Sequence, residues 1–592
     1  MVRSEPRSRR RGSHPGSFEL SEEVTWTAWT VCERPAPMNV AEAMGDALVA
    51  EGVRVAAGIT GQSIGHLADA LAERPEVKVF YTRQERVAVD ICDGYARASG
   101  RPGVVFTDAG PAAANAMGGI VNSFGDSTPL LFIAGHNNRF DTKRRQTKEL
   151  PLTEVFGPVS KWVAIIEDPS QVGDLLRRAF MHLRTGRSGP VVIGLPYDVS
   201  SMPIGGNFPY EPVSARPPVR SAGDPAAIEA AARMLAEAQR PYVYVGAGVL
   251  WSEASGELVA LAELLTLPVA TTLNGKSAFP ETHPLSLGIG GFARARYGTT
   301  HATAVANAAD VIMTIGCGFK QHATLAPVPA AAKHIQIDVD PAELHKEALA
   351  DVAILGDARL VLRQLNEAAQ RLLPAERLVP MQSRIDGLAT LRDRWAEVSA
   401  PYVNSDETPI NPFRVTREFA ELIDPDTTIL LHDAGSVRGT TCQHYIATTP
   451  RSFIGFGVQS AMGWSLGAAI GAKTAAPDKL VATVIGEEAF AETALDIETS
   501  VRAGVPVLII VLNNRAFMDR DGGVSVKLAK MRFDGGVDIC ALAGALGAKT
   551  QRIDKPAALR DGLRQAIGDV TAGTTSVVEI MTSRVRVNLA TA

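Results

Sequence analysis

The sequence predicts an α/β protein built from three doubly wound parallel sheets. From residue 38 onward, short apolar runs flanked by turn residues alternate with amphipathic helical patterns, which is typical of repeated βαβ units. The chain has 592 residues, too many for one core at roughly 150 residues per domain. A stretch rich in proline and glycine at 201–222 interrupts the alternation and is typical of an inter-domain linker.

This pattern divides the chain into four main segments. Residues 1–37 are rich in arginine, serine and proline and have no apolar face, so we expect a disordered N-terminal extension. A basic nucleic-acid arm or an export signal is the alternative, but the segment lacks the apolar region of a signal peptide. We expect the three α/β domains at 38–205, 223–370 and 409–592, with a charged helical stretch before the last.

The composition excludes several classes of protein. Hydrophobic residues make up 46% of the chain and charged residues 21%, as in ordinary soluble globular proteins. The formal net charge of -5 argues against a nucleic-acid partner, and no apolar run approaches the roughly 20 residues of a membrane span. The five cysteines are scattered, with no pair at metal-ligand spacing. We therefore expect reduced thiols and a cytoplasmic location.

Polar and glycine residues follow the predicted strands of the first and third domains. In open α/β sheets the carboxyl ends of the strands form the edge where ligands bind. The sequence therefore predicts binding sites at the following strand ends: 61–62, 108–110, 433–436, 486–488 and 513–514.

Two of these strand ends suggest a metal site. The stretch 484–490, VIGEEAF, runs from an apolar strand through a glycine into acids, and a later strand ends in Asn513 and Asn514. Carboxylate and amide oxygens are hard ligands of the kind that Mg²⁺ prefers. The frame resembles the diphosphate-binding domain of thiamin-diphosphate (ThDP) enzymes, whose signature is Gly-Asp-Gly followed by Asn-Asn. That resemblance implies that Glu487, Asn514 and the carbonyl of Ala516 bind Mg²⁺.

The resemblance also implies which residues contact the cofactor. The stretch 433–439, DAGSVRG, matches a loop that contacts the diphosphate, and 450–473 matches the segment that bends ThDP into its V-shape, with a methionine as the wedge. The N-terminus of a helix after a strand offers N–H donors to phosphate. The implied cofactor contacts, besides Glu85, are Gly435, Ser436, Ser460, Met462, Gly486, Glu488, Ala489 and Asn514.

Further segments resemble acetolactate synthase-like members of the ThDP enzymes. The stretch 82–104, TRQERVAVDICDGYARASGRPGV, resembles their pyrimidine-binding domain, and 272–291 and 337–344 resemble their central domain. The resemblance implies that Glu85 hydrogen-bonds the aminopyrimidine of ThDP and so promotes loss of the thiazolium C2 proton. It also implies that Glu85 and the diphosphate domain of one site come from different subunits, which makes a homodimer the minimum and a homotetramer the expected assembly. The alternative for Glu85 is a solvated acid at a helix start.

Glu487 departs from the aspartate of the family signature. The extra methylene moves the carboxylate by about a bond length, whereas Mg²⁺ tolerates only small errors around roughly 2.0–2.1 Å. The strand could pull back, the metal could shift, or a larger cation could be favoured. The alternative to a site that binds ThDP and Mg²⁺ is a non-catalytic protein of the same fold, with a degenerate metal site and a scaffolding or regulatory role.

The helix after this turn bears on the substrate. The stretch 489–506, AFAETALDIETSVRAGVP, resembles the corresponding helix of 2-hydroxyacyl-CoA lyases and oxalyl-CoA decarboxylases. Glu492 stands where those enzymes carry an apolar residue, so it could move a proton at the reacting carbon, or it could be an exposed helix acid. Gln62 and His136 stand at strand ends that face the thiazolium in the family, and His136 could equally be structural.

These features predict a ThDP- and Mg²⁺-dependent carboligase or lyase, which makes or breaks a C–C bond next to a carbonyl. Glu492 and the absence of the FAD-site stretch typical of acetolactate synthases favour cleavage of 2-hydroxyacyl-CoA. The alternative is genuine acetolactate synthesis from pyruvate or another 2-oxo acid.

The central domain gives mixed indications about a second cofactor. The stretch 274–288 is close to the segment that borders FAD in acetolactate synthases, but 318–322 replaces the Arg-Phe-Asp-Asp-Arg stretch typical of that FAD site. The sequence therefore argues against FAD, and the same cleft binds ADP or the CoA nucleotide in the acyl-CoA relatives. Lys148 replaces a glutamine near the substrate channel. Arg139 and the basic residues at 143–145 could meet CoA phosphates, although a solvated loop is the default expectation.

Overall fold

Three parallel sheets of six strands each organise the chain, as expected. The structure is a computed structural model, and Met38–Ala592 clusters as one compact unit. The predicted extension at 1–37 and the predicted metal ligand Ala516 lie outside the described residues. The structure describes residues 38–204, 208–292, 297–319, 328–374, 376, 379–515 and 536–584.

The first domain has the strand order β2-β1-β3-β4-β6-β5. Its central strands are buried on both faces, which explains their continuous apolar sequences. The strands are β1 (Val55–Ile59), β2 (Lys78–Tyr81), β3 (Gly103–Thr107), β4 (Leu130–His136), β5 (Trp162–Ile165) and β6 (Val191–Pro196). The helices are α1 (Val40–Ala50), α2 (Gly65–Ala72), α3 (Glu85–Ser99), α4 (Pro111–Asn115), α5 (Met117–Gly125), α6 (Leu152–Phe156), α7 (Val172–Arg184) and α8 (Tyr197–Ser200).

The second domain follows the segment 208–222, which forms no helix or strand apart from one short 3₁₀ turn. Its strand order is β12-β11-β10-β7-β8-β9. The strands are β7 (Pro241–Val245), β8 (Val269–Thr271), β9 (Ser286–Ile289), β10 (Val311–Ile315), β11 (Lys333–Asp338) and β12 (Val352–Leu355). The helices are α9 (Pro225–Glu237), α10 (Gly248–Trp251), α11 (Ser255–Leu265), α12 (Thr300–Ala308), α13 (Ala358–Leu372) and the bridging α14 (Gln382–Val403).

The third domain has the order β14-β13-β15-β16-β18-β17, so the strands that precede the two metal-site segments, β15 and β16, are neighbours. The strands are β13 (Thr428–His432), β14 (Phe453–Ile454), β15 (Leu480–Gly486), β16 (Leu508–Asn513), β17 (Lys549–Ile553) and β18 (Ser576–Met581). The helices are α15 (Pro412–Ala420), α16 (Val437–Cys442), α17 (Trp464–Ala475), α18 (Glu487–Thr493), α19 (Ile497–Arg502), α20 (Ile539–Ala545) and α21 (Pro556–Thr571).

Helices α3 and α17 hold the first and third domains together. One hydrophobic core cluster contains residues of both helices, among them Ile91 and Ile470. A Cβ added at Gly94 would overlap the backbone oxygen of Ala468, and a Cβ at Gly471 would overlap that of Ile91. Glycine at both positions therefore lets the two helix backbones approach closely. This packing fixes the position of the N-terminus of α3 relative to the third domain.

No helix in the described ranges has the length and apolar character needed to cross a membrane.

Candidate active site

Glu85 is the first residue of α3 and directly follows the extended residue Gln84. Its side chain is half-buried. The amide of Asn115, the last residue of α4, donates to Glu85 Oε2 over 3.1 Å. Sequence reasoning did not identify Asn115, because no local pattern connects it with a residue thirty positions earlier. One oxygen of the proposed proton-handling carboxylate is thus oriented by a second strand-end segment of the same sheet.

Arg86 connects this helix to the third domain. Its Nη2 donates to the carbonyl of Met462, and its Nη1 lies 3.2 Å from Glu492 Oε2. The N-terminal part of α3, the loop before α17 and the end of α18 therefore meet around one guanidinium. The Arg86 contacts join two domains within one chain and do not test the implied sharing of each site between subunits. The homodimer and the homotetramer stay predictions.

The loop that carries Met462 is held by a buried carboxylate. Asp433 follows β13 and accepts hydrogen bonds from the backbone N–H groups of Gly463, at 2.9 Å, and Ser465, at 2.8 Å. Burial raises the pKa of Asp433, although these N–H groups oppose the shift. Gly463 has φ +79°, and a Cβ there would lie 2.8 Å from the methyl group of Thr493. Met462 is half-buried, as is Ser460, which has φ +56°.

The predicted metal ligands meet at adjacent strand ends. Strands β15 and β16 pair with Gly486 opposite Leu512, so Glu487 and Asn514 follow neighbouring strands at the same edge. Asn514 Oδ1 is buried and finds no hydrogen-bond partner within the described residues. Ideal Cβ atoms at Gly435 and Gly486 would meet nothing within 4 Å, so space is open beside both strand ends. Gly435 and Ser436 are exposed at the end of β13.

Asn513 has a structural role rather than a ligand role. Its Nδ2 donates to Glu579 Oε1 over 2.7 Å, and its Oδ1 accepts from the backbone N–H of Arg515 over 2.9 Å. The neighbouring amide of Asn514 is thereby distinguished as the candidate ligand, as the family signature implies.

The donor set fits a divalent cation. A buried amide oxygen without a protein partner is costly unless something outside the protein satisfies it. Asn514 Oδ1 is such an oxygen in the described chain, and the half-buried Glu487 follows the neighbouring strand. Across the described ranges no cluster of three His, Cys, Asp or Glu residues could hold a metal. A cation at this edge would therefore depend on Glu487, the Asn514 amide, a backbone carbonyl and oxygens of the bound ligand.

Glu488 and Ala489 complete the first turn of α18. Ala489 is buried, whereas Glu488 is half-buried and therefore does not point fully outward. Partial burial raises the pKa of the Glu488 carboxyl group, and the nearby charge of Glu492 raises it further. Glu492 is exposed and ion-paired with Arg86. Glu492 thus has the exposure of an ordinary helix acid, but Arg86 links it to the loop that carries Met462.

Gln62 and His136 lie at the carboxyl ends of β1 and β4, as predicted. Gln62 is exposed, and His136 is buried with Nδ1 3.1 Å from the carbonyl oxygen of Asn137. Their strand ends also carry a network that sequence reasoning missed. Asp108 accepts a hydrogen bond from the Ser63 hydroxyl, and its other oxygen lies 2.6 Å from Lys148 Nζ.

The charge of Asp108 is stabilised by this network. Partial burial acts to raise the pKa of Asp108, but the hydrogen bonds from Lys148 and Ser63 bring it below the usual value. Lys148, which was noted only as a replacement near the substrate channel, therefore forms part of the strand-end network.

The predicted role of Arg139 in binding CoA phosphates is not supported by its contacts. Its Nε lies 2.8 Å from Asp198 Oδ2, and its Nη1 donates to the carbonyl of Glu167 over 2.6 Å. The guanidinium is occupied within the first domain. The basic residues at 143–145 are exposed, in agreement with the default expectation of a solvated loop.

A cavity of about 840 Å³ lies between the first and second domains. Glycines at the carboxyl ends of β7 and β10, Gly246 and Gly316, line it together with Asp338 at the end of β11. Arg187 and Arg220 line the same space. Burial raises the pKa of Asp338 to about 6. Of the stretch 318–322 that replaces the FAD signature, residues 318 and 319 line the cavity and the other three lie outside the described residues.

Comparison with protein families defines the class. Residues 38–155 match the model of the thiamine pyrophosphate enzyme N-terminal TPP binding domain. Residues 228–365 match the central domain of the same enzymes, and residues 433–580 match their C-terminal TPP binding domain. Thiamine pyrophosphate is another name for ThDP.

Comparison with individual proteins defines the class of enzyme more closely. The chain is 32% identical over 552 residues to a probable acetolactate synthase large subunit of Methanococcus aeolicus, with 90% of each chain covered. It is 33% identical over 546 residues to a probable acetolactate synthase large subunit of Methanocaldococcus jannaschii, again covering 90% of each chain. It is 31% identical over 490 residues to the acetolactate synthase isozyme 3 large subunit of Escherichia coli, covering 81% of this chain and 82% of the relative. The chain therefore belongs to the thiamine pyrophosphate enzyme family, and within it to the acetolactate synthase-like enzymes.

Proposed function

We propose that the protein is a genuine acetolactate synthase, which decarboxylates one pyruvate and joins the remaining two-carbon unit to the carbonyl of a second 2-oxo acid. With two pyruvates the products are acetolactate and one CO₂. The observation that carries the proposal is the hydrogen bond from Arg86, the residue after Glu85, to the carbonyl of Met462, in a chain whose relatives over most of its length are named acetolactate synthases.

Each domain binds a different part of the ligands in this proposal. Residues 38–205 bind the aminopyrimidine, 223–370 bind a nucleotide, and 409–592 bind the diphosphate. ThDP, when bound, supplies a ring that stores the negative charge left when a bond next to a carbonyl breaks. Glu85 holds or moves the proton at the aminopyrimidine, and Asn115 orients its carboxylate over 3.1 Å.

Glu487 and Asn514 hold Mg²⁺ in this proposal, with a further ligand from the carbonyl of Ala516. Asn514 Oδ1 supports the assignment because it is buried without a hydrogen-bond partner among the described residues. The diphosphate would lie where Gly435, Ser436, Gly486 and Glu488 leave open or half-buried surface beside β13 and β15, next to the buried Ala489. Ser460 and Met462 would support the bend of the cofactor.

Pyruvate replaces 2-hydroxyacyl-CoA as the first substrate candidate. The acyl-CoA interpretation rested on Glu492, which here pairs with Arg86, and on the replaced FAD stretch at 318–322. Of the basic residues that could meet CoA phosphates, Arg139 is paired with Asp198. The relatives that cover most of the chain are named acetolactate synthases. Gln62 and His136 remain candidates for contact with the reacting carbonyl, because both stand at strand ends of the sheet that carries Glu85.

A substrate panel tests the reaction. Purified protein is supplied with ThDP and Mg²⁺ and given pyruvate, pairs of 2-oxo acids, or 2-hydroxyacyl-CoA thioesters, and the products are identified by mass spectrometry. We expect acetolactate and CO₂ in a one-to-one ratio from pyruvate alone. Cleavage of the thioesters without any acetolactate would contradict the proposal and restore the lyase interpretation.

The variant Glu85→Gln tests whether the protein is an enzyme at all. Loss of a positioned proton-transfer group typically costs about 10²–10⁴-fold in rate, so we expect a fall of that size in turnover with an unchanged unfolding transition. Glu154→Gln is the matched control, because Glu154 is an exposed acid in the first turn of α6 in the same domain. A scaffolding protein would show equal behaviour for both variants.

The cavity between the first and second domains is proposed to hold a nucleotide. Its volume of about 840 Å³ lies in the range of small-molecule sites. Arg187 and Arg220 line it, each paired with a carboxylate of the second domain. FAD, ADP and the nucleotide part of CoA share the chemistry that such a site would recognise. Release of bound ligand by denaturation of the purified protein, followed by absorbance and mass analysis, identifies which one is present. A protein free of all three at full activity would contradict the proposal.

A further inference from the structure

Lys148 lies over the carboxyl ends of strands in the first domain. It belongs to the segment after β4, and an ideal Cβ at Gly110, the residue before α4, would lie 2.7 Å from the Lys148 Cα atom. The amide of Asn137 donates to the carbonyl of Thr147, the preceding residue, over 2.6 Å. Lys148 itself has φ +63°, a left-handed conformation that is uncommon for a lysine. The backbone of Lys148 is therefore held against the turn that begins α4.

The ammonium group of Lys148 is paired on its inner side. Its Nζ lies 2.6 Å from Asp108 Oδ2. The other oxygen of Asp108 accepts hydrogen bonds from the backbone N–H of Ser63, over 3.0 Å, and from the Ser63 hydroxyl. The Asp108 side chain is 12% exposed, whereas the Lys148 side chain is 42% exposed. The negative member of the pair thus lies within the protein, and the positive member faces outward.

This pair leaves hydrogen-bond donors available at its outer end. An ammonium group carries three N–H donors, and Asp108 is the one partner of Lys148 Nζ among the described residues. Burial acts to raise the pKa of Asp108, but hydrogen bonds from Lys148 and Ser63 lower it, so the pair is ionic at neutral pH. Gln62, the residue before Ser63, is exposed at the same edge. An anion that approaches these strand ends therefore meets the ammonium group and a neutral amide.

We propose that Lys148 binds the carboxylate of the second 2-oxo acid, the substrate that accepts the two-carbon unit. Ser63, Glu85 and Asp108 follow β1, β2 and β3, which are neighbours in one sheet, so the pair shares its edge with the proposed proton-handling carboxylate. This role rests on the proposed function. All of its residues belong to the first domain, so it holds whichever subunit supplies the diphosphate domain.

The chemistry favours the second substrate over the first. The carboxylate of the second 2-oxo acid is retained in the product, so a cation that binds it can hold the accepting carbonyl in place throughout the reaction. The carboxylate of the first substrate leaves as CO₂. A cation bound to that group would stabilise the starting state more than the transition state and would slow the reaction.

Three variants of the full-length protein separate the charge of Lys148 from the packing of its segment. Lys148→Met removes the ammonium group at similar length, and Lys148→Arg keeps a cation. Lys143→Met is the matched control. Lys143 lies in the same segment with φ +64°, is exposed, and contacts Glu149 through its backbone N–H.

The measured quantities are the CO₂, acetolactate and acetaldehyde formed from pyruvate with ThDP and Mg²⁺, at pyruvate concentrations below saturation. A two-carbon unit that finds no acceptor takes up a proton and leaves as acetaldehyde, so each CO₂ is matched by one acetolactate or one acetaldehyde. Loss of a hydrogen bond to a charged group typically weakens binding about 10–100-fold. We expect Lys148→Met to lower the ratio of acetolactate to acetaldehyde by that factor, with little change in the rate of CO₂ release. Lys148→Arg should restore most of the ratio, and Lys143→Met should match the natural protein.

An unchanged product ratio in Lys148→Met would overturn the proposal, as would an equal loss in Lys143→Met. A fall in CO₂ release as large as the fall in acetolactate would also overturn it, because Lys148 would then act on the first substrate or on the fold. Should Lys148→Met fail to fold, adding Asp108→Asn removes the unpaired carboxylate, and the product ratio of that double variant decides by the same criteria.

Oxamate, an analogue of pyruvate that is not decarboxylated, keeps this inference distinct from the proposed reaction. In calorimetric titrations of protein supplied with ThDP and Mg²⁺, we expect oxamate to bind at least about tenfold more weakly to Lys148→Met than to the natural protein or to Lys143→Met. If the natural protein forms no acetolactate but shows this difference, the proposed function fails and Lys148 still binds the carboxylate of a 2-oxo acid analogue. Equal oxamate affinities in all three proteins would overturn the role of Lys148 whatever the reaction is.

Discussion

The two strand-end edges that meet at the candidate site differ in how complete they are. We define the pyrimidine-side edge by Glu85, Asp108 and their neighbours, and the diphosphate-side edge by Gly435, Glu487 and Asn514. At the pyrimidine-side edge, protein groups contact both carboxylates: Asn115 donates to one oxygen of Glu85, and Ser63 and Lys148 contact the two oxygens of Asp108. At the diphosphate-side edge, the Asn514 amide oxygen is buried without a hydrogen-bond partner in the described chain, and open space adjoins the glycines.

The difference between the two edges agrees with their different proposed roles. Side chains that handle protons must be held in a fixed orientation before the substrate arrives, which the pyrimidine-side edge achieves with its own hydrogen bonds. A site for a cation and a diphosphate must leave oxygens available to the ligand, as the Asn514 amide oxygen is among the described residues. We therefore expect bound ThDP and Mg²⁺ to stabilise the diphosphate-side edge more than the pyrimidine-side edge.

The largest expected effect concerns the diphosphate-side edge. Asn514→Ala removes the unpartnered oxygen, so we expect ThDP affinity in the presence of Mg²⁺ to fall by about 100-fold, while the unfolding midpoint of the ligand-free protein stays within a degree or two. Calorimetry and thermal unfolding measure the two quantities. Loss of a residue that only supports a metal ligand typically lowers metal affinity about 10–100-fold. Loss of a ligand itself should therefore have an effect at the upper end of that range.

Asn513→Ala is the control for that variant. The Asn513 side chain donates a hydrogen bond to Glu579 over 2.7 Å. Removing this side chain should therefore lower the stability of the ligand-free protein, which Asn514→Ala should not do. Equal effects of the two variants on stability would mean that the Asn514 oxygen is not reserved for a ligand.

The packing that joins the edges gives the second prediction. A Cβ at Gly471 would overlap the backbone oxygen of Ile91 on α3, and overpacking of this kind costs about 1–3 kcal/mol. We expect Gly471→Ala to lower the free energy of unfolding by that amount in a denaturant titration, with a loss of ThDP affinity as the edges separate.

Gly568→Ala serves as the comparison for Gly471→Ala. Gly568 is an exposed glycine in α21 whose added Cβ would meet nothing within 4 Å. Alanine is the better helix former by about 1 kcal/mol, so this variant should gain stability. A loss at both positions would indicate that helix backbone effects, and not the contact between α3 and α17, determine the result.

The pH dependence of stability gives the third prediction. The pKa of Asp90 is raised to about 8 by burial, from an ordinary value of 3.8. Between these values the native state binds a proton that the unfolded state has released, so the stability falls as pH rises, by up to about 1.4 kcal/mol per pH unit from this group.

Asp90→Asn should remove that slope. We expect the difference in stability between Asp90→Asn and the natural protein to grow in favour of the variant from pH 5 to pH 8 and to level off above. Denaturant titrations at four pH values measure it. A constant difference over this range would show that Asp90 is ionised throughout, paired with Arg86.

The smallest expected effect concerns the orientation of Glu85. Asn115→Ala removes one hydrogen bond to a carboxylate, but Asn115 is exposed, so water can replace much of it. We expect kcat to fall a few-fold with no change in ThDP affinity. A fall in ThDP affinity would contradict the view that the pyrimidine-side edge is complete without the ligand.

The alternation of apolar runs and helices predicted the fold class correctly because central parallel strands are buried on both faces. Strands β3 and β16 have this character. By contrast, β14 has only two residues, and the edge strand β17, with the sequence KTQRI, is largely polar and half-exposed. Short or solvated strands do not produce the apolar signal on which the prediction depends.

The sequence predicted those candidate site residues that belong to short sequence motifs, but not the contacts between residues far apart in the chain. Glu487 and Asn514 follow neighbouring strands, and the frame of glycine, acid and paired asparagines identified them. The contact between Arg86 and Met462 joins residues 376 positions apart, and no sequence pattern indicates it.

The measurement that tests the central claim most directly is a calorimetric titration of metal-stripped protein with ThDP, with and without Mg²⁺, beside the variant Glu487→Asp. If the diphosphate-side edge is a working cofactor site, the natural protein binds ThDP only when Mg²⁺ is present, and Glu487→Asp changes the affinity without creating it. If ThDP binds only after Glu487→Asp is made, the longer carboxylate has abolished the site, and the account of this chain as an enzyme is contradicted.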